Sequence, residues 1–143
     1  MTRCVLHIGV HKTGTTSIQH ACDQRRDRLL ARGINYLDLG ANHSSPLFSL
    51  LCDDPDGYSF NIRHGLDTPE RVRRHNRNID AKLAALLAAN RSETILVSGE
   101  DLSNLGPAGV RRLRQRFEPS ADTFRIIAYV REPSSWISSM AQQ

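Results

Sequence analysis

A chain of 143 residues with 39% hydrophobic content is long enough for one domain around a single packed core. Its formal net charge of +4 suits an anionic ligand, but no recognition motif or basic and aromatic platform accompanies the charge, which argues against nucleic acid as the partner. No apolar run approaches the ~20 residues of a membrane span, and no extended apolar region follows the first basic residue as in a secretory signal, so the expected location is the cytoplasm.

The three cysteines, Cys4, Cys22 and Cys52, are odd in number and widely spaced. They suggest neither a disulfide framework nor a zinc site, and reduced, partly buried thiols are expected.

The first element is an apolar run, Cys4-Val5-Leu6-His7-Ile8, which predicts a short buried strand. It breaks into Gly9-Val10-His11-Lys12-Thr13-Gly14-Thr15-Thr16-Ser17, and a helix is predicted from Thr16 to Arg32 with Ile18, Cys22 and Leu29 or Leu30 near one face. Gly33 ends that helix as a C-cap, and Ile34 to Leu37 predicts a second strand. A strand–helix–strand order implies a right-handed crossover and a parallel sheet.

From Asp38 to Asp67 regular patterning fails, apart from an apolar piece at Leu47 to Leu51 that predicts one or two helical turns. Such a segment is either a binding loop or a surface excursion; within it, His43 and His64 could meet a substrate or be ordinary polar loop residues. Thr68-Pro69 then supplies N-cap and first-turn chemistry for a helix to about Asn90, with Val72, Ile79, Leu83, Leu86 and Leu87 inward and Arg71, Arg73, Arg74 and Arg77 on a solvated face.

Thr94 to Ser98 reads as a buried parallel strand, running into Gly99-Glu100-Asp101. Ligand-contacting residues of open α/β sheets lie beyond the carboxyl ends of strands, which places Glu100 on the functional edge. Pro107 to about Phe117 predicts a helix with Val110, Leu113 and Phe117 inward. A last strand, Phe124 to Val130, leads to Arg131, and Pro133 opens a final helix. The expectation is one domain over 1–143: a P-loop-like, three-layer α/β fold with a mainly parallel sheet of about four strands.

The junction after the first strand carries the chemistry. A strand, a tight loop and a helix start present unpaired N–H groups and a positive dipole end, with Lys12 and the hydroxyls of Thr13, Thr15, Thr16 and Ser17 around the same point. Gly9 and Gly14 have the separation of the nucleotide-binding signature G-x-x-x-x-G-K-[ST], but Thr15 stands where that signature needs lysine, and Lys12 comes two residues before Gly14.

The variant present, His-Lys-Thr-Gly-Thr-Thr after a strand, resembles the 5′-phosphosulfate loop of sulfotransferases that use 3′-phosphoadenosine 5′-phosphosulfate (PAPS), with His11 where many members carry proline. The resemblance implies that Lys12 bonds the bridging oxygen and the transferred sulfuryl group while Thr13, Gly14, Thr15, Thr16 and Ser17 help to hold the 5′-phosphate. Arg131-Glu132-Pro133, with Ser139 eight residues after the arginine, resembles the family's 3′-phosphate motif. An arginine fork also matches phosphate oxygens on purely chemical grounds, and a serine in the next helix can add a donor.

Sulfuryl transfer to an alcohol needs the acceptor proton removed as the new S–O bond forms. The resemblance points to a base just after the middle strand, which makes Glu100 the candidate and the adjacent Asp101 its rival. The implied activity is transfer of a sulfuryl group to a hydroxyl or amine of a small-molecule, carbohydrate or lipid acceptor, with no metal. The segment that in this family follows the second motif, and completes the 3′-phosphate, adenine and acceptor pockets, does not appear, so an N-terminal portion is expected. A P-loop nucleotide kinase and a non-catalytic nucleotide-binding module are the alternatives, and oligomeric state is left open.

Overall fold

The computed structural model describes residues 1–9, 13–130 and 132–141, and for Trp136, Ser139 and Met140 it describes the backbone alone. The described residues form one four-stranded sheet from β1 (Arg3–His7), β2 (Ile34–Tyr36), β3 (Thr94–Ser98) and β4 (Thr123–Ile127), all parallel and in the order β2-β3-β1-β4. The helices are α1 (Thr15–Gln24), α2 (Arg26–Leu30), α3 (Ser44–Leu51), α4 (Ser59–Arg63), α5 (Pro69–Ala89), α6 (Pro107–Phe117) and α7 (Pro133–Met140). The expected α/β fold with helices flanking a parallel sheet is present.

Strand alternation sorts the two faces. Cys4 and Leu6 of β1 share a face with their register partners Ile95 and Val97 of β3, and these four pack in one core with Leu47 and Leu51 of α3, Leu83 and Leu87 of α5, and Leu113 and Phe117 of α6. The opposite face carries His7, Ser98 and Tyr36. There α2 is tied down by Arg26, whose guanidinium donates to Tyr36 O at 2.6 Å and lies 5.1 Å from the Tyr36 ring centroid. Helices on both faces make the three layers.

Several elements depart from the sequence expectation. The single helix expected from Thr16 to Arg32 is broken at Arg25, whose backbone leaves the helical region (φ −121°, ψ 27°). The chain bends there to bring Arg26 onto β2, and Gly33, at φ 73°, makes the expected turn into the strand. The segment 38–67 contains α3 and α4 rather than irregular chain alone. α3 is long enough to insert Leu47 and Leu51, both fully buried, under the sheet.

On α6 the expected inward Val110 is 51% exposed. Gly109 faces inward instead, because a Cβ there would stand 2.9 Å from Leu51 O at the end of α3. The last strand ends at Ile127 rather than Val130. Cys4 is buried and its thiol is pushed up to about 12 by desolvation, and all three cysteines are free thiols.

Candidate anion-binding site

The sheet order creates the site. β1 and β3 are neighbours, yet the connection from β1 leads through α1 and α2 on one face while that from β3 leads through α6 on the other. Two adjacent strands whose continuations part to opposite faces leave a crevice beyond their carboxyl ends. Those ends are flush: His7 is in register with both Ser98 and Ile127. The backbone pairing extends just past them, with Gly99 N donating to His7 O at 3.0 Å and Ile8 N to Ile127 O at 2.9 Å.

Helix α1 starts in this crevice. Its N-cap, Gly14, has φ 84°, a left-handed conformation open to glycine at little cost, and no side chain caps the helix. Its first turn holds no acidic residue. Ser17 N donates to Gly14 O at 3.1 Å, and no first-turn carboxylate offsets the positive end of the dipole. Thr16 and Ser17 are exposed on this turn, whereas Thr15 is buried, its Oγ1 lying 3.2 Å from Thr13 Oγ1.

Two buried histidines meet at Ser98 and differ in how their ring nitrogens are bonded. His43 is fully buried and stacked on Tyr36 with ring centroids 4.4 Å apart. Ser98 N donates to its Nδ1 at 3.1 Å, which leaves the proton on Nε2 to be donated to Leu37 O at 2.9 Å. Both nitrogens are used, and burial lowers this imidazole to about 4. His43 therefore holds β2 and β3 together and does not meet a substrate.

His7 was not singled out by the sequence, since it sits inside an apolar run. It is 5% exposed, its Nδ1 lies 2.8 Å from Ser98 Oγ, and its Nε2 has no hydrogen-bond partner among the described residues. Desolvation lowers its pKa and favours the neutral ring. The available signal was its position as the last residue of the strand that feeds the loop.

Glu100 lies where expected, beyond the carboxyl end of β3, as the first residue of a 3-10 turn over Glu100–Asn104. Its neighbour Asp101 accepts from Tyr58 Oη at 2.6 Å, and its backbone N donates to Ser44 Oγ at 3.1 Å. The Asp101 carboxylate thus faces the segment around α4. His64 is exposed, its ring stacked on Phe60 at 3.8 Å and its Nδ1 2.8 Å from Phe60 O.

Lys12 and Arg131 lie outside the described residues, and Ser139 is described by its backbone in α7 alone. The first turn of α7 is formed as predicted, with Pro133 at its start. Glu132 caps it by accepting from Ser134 N at 3.2 Å and Ser135 N at 3.0 Å. Those bonds, led by one from the Ser134 hydroxyl, hold the Glu132 carboxyl below its usual range. No family model, curated protein or solved structure matches the chain.

Proposed function

We propose that the chain is the donor-binding part of a sulfotransferase that moves a sulfuryl group from PAPS to a hydroxyl or amine of an acceptor. The observation that carries this reading is the start of α1. A helix without a side-chain cap or first-turn acid begins beyond the end of an interior parallel strand, in the sequence His-Lys-Thr-Gly-Thr-Thr-Ser. Such a terminus favours a phosphate or sulfate group through its N–H donors and dipole.

In this reading Thr13, Gly14, Thr15, Thr16 and Ser17 take the 5′-phosphate, and Arg131 with Ser139 takes the 3′-phosphate. Glu100 accepts the acceptor's O–H or N–H proton as the acceptor atom bonds to sulfur. The bond from sulfur to the bridging oxygen breaks in the same displacement, and Lys12 stabilises the charge that develops on that oxygen. The products are the sulfated acceptor and adenosine 3′,5′-bisphosphate. Lys12 supplies the cation at the terminal group, so the chemistry calls for no metal.

Calorimetry with adenosine 3′,5′-bisphosphate and with ATP·Mg²⁺, each with and without EDTA, tests the reading. Binding of the bisphosphate that survives chelation is the expected result. Preference for ATP that EDTA abolishes would instead mark a kinase-like site. Bisphosphate binding with no sulfuryl transfer to any acceptor would mark a non-catalytic module.

A further inference from the structure

His7 is the buried polar group that the reading above leaves without work. Its ring is fixed on one side by Ser98 Oγ at 2.8 Å and on another by the edge of Tyr129, with ring centroids 5.5 Å apart. Nε2 points the other way, toward the loop. A Cβ added to Gly9 would stand 3.2 Å from His7 Nε2, 2.9 Å from Thr15 Oγ1 and 3.3 Å from Thr13 Oγ1. Three polar atoms from the strand end, the loop and the first residue of α1 therefore gather around Gly9, packed so closely that only a glycine fits between them.

The two threonine hydroxyls face each other, but Nε2 is unsatisfied among the described residues. A buried N–H or lone pair without a partner is costly to the folded protein, and a ligand that supplies the partner is one reason for retaining it. Together with the start of α1, this orphaned atom marks the inner wall of an anion site.

We propose that His7 is a binding residue of this loop, its Nε2–H donating to an oxygen of the phosphoryl or sulfuryl group seated at the N-terminus of α1. The Ser98 hydroxyl holds the ring by Nδ1 in the tautomer that leaves the proton on Nε2. The ligand class is a tetrahedral oxyanion carried on a larger molecule. This inference rests on the anion-binding half of the function proposed above and is independent of the identity of the donor.

The test uses two variants and one measurement on the unaltered protein. Asparagine can keep the bond to Ser98 but reaches no further, so His7→Asn should weaken binding of inorganic pyrophosphate and of adenosine 3′,5′-bisphosphate roughly tenfold or more. Glutamine places an N–H near the position of Nε2, so His7→Gln should recover most of that loss. A purely structural histidine would lower the melting temperature in both variants with no such recovery. In the unaltered protein, the ¹⁵N resonance of His7 Nε2 should move on adding pyrophosphate.

Equal affinity in the parent and His7→Asn, with an unmoved Nε2 resonance, overturns the inference and leaves the donor reading standing. A parent that binds pyrophosphate through His7 but does not prefer the bisphosphate keeps the inference and overturns the donor reading. A parent that binds neither anion overturns both.

Discussion

His7 and Ser98 are the last residues of the two central strands, and they meet side chain to side chain, Nδ1 to Oγ, at 2.8 Å. The contact fixes the ring at the point where β1 hands over to the loop. Ser98 also donates its backbone N–H to His43, so one serine orients both buried histidines.

Donor selectivity is the first consequence of the proposed function. If Arg131 reads the 3′-phosphate, adenosine 3′,5′-bisphosphate should bind about ten- to a hundredfold tighter than 5′-AMP, the worth of one charge-assisted contact. Arg131→Ala should bring the two affinities together. Titration calorimetry on the two ligands decides it, and equal affinity in the parent removes Arg131 from the site.

Turnover should depend on the carboxylate after β3. Glu100→Gln keeps the shape and removes the base, and is expected to lower sulfuryl transfer by about 10²–10⁴ while bisphosphate binding stays near the parent's. Asp101→Asn should change the rate far less, because Asp101 is engaged by Tyr58. The reverse ranking in a transfer assay would exchange their roles.

Acid should weaken the fold through His43. Its pKa is lowered from 6.5 to about 4 by burial, so the unfolded chain takes up a proton that the folded one refuses. The stability from keeping this ring neutral is fully present above pH ~6.5 and is lost as pH falls toward ~4, a difference of up to about 3 kcal/mol. Urea denaturation from pH 7.5 to 4.5 should show a shallower loss in His43→Phe, which has no ring to protonate. Parallel profiles in parent and variant would show that His43 is not the source.

A methyl group at Gly99 should be poorly tolerated. Its Cβ would lie 2.9 Å from Ser44 N and 3.1 Å from Ser44 Cα, backbone atoms at the start of α3 that cannot swing aside. Gly99→Ala should cost about 1–3 kcal/mol, the usual scale of overpacking. A melting temperature equal to the parent's would mean that α3 moves freely against β3.

The strand–loop–helix junction and the parallel sheet were legible because each leaves a local mark. β1 and β3 are apolar runs, glycine marks the loop, and Thr68-Pro69 and Pro107 open helices where the structure starts them. α4 was not legible: Ser59–Arg63 has one turn's worth of residues and is held by Asn61, whose Nδ2 donates to Ser49 Oγ at 2.7 Å and Pro55 O at 2.9 Å. Such long-range polar anchors have no periodicity to read.

The site divides in the same way. The position of Glu100 just beyond β3 could be read because the apolar run of that strand stops at Ser98. His7 could not, because the partner that fixes it is 91 residues away. Val110 was misplaced because helical periodicity counts apolar residues and ignores the close approach of α3, which only Gly109 allows.

The sheet's outer strand has a bearing on how the protein behaves as a concentrated solution. β4 pairs with β1 along one side, and in the described residues it is the last strand of the sheet, with Ile126 64% and Ile127 37% exposed and Arg125 as its charged residue. An apolar strand with a free margin is a template for a further strand from a neighbouring molecule. Repulsion between chains of net charge +4 opposes such pairing, and salt at 0.1 M screens that repulsion beyond about 10 Å. Colloidal stability should therefore be greatest at low ionic strength and below the isoelectric point.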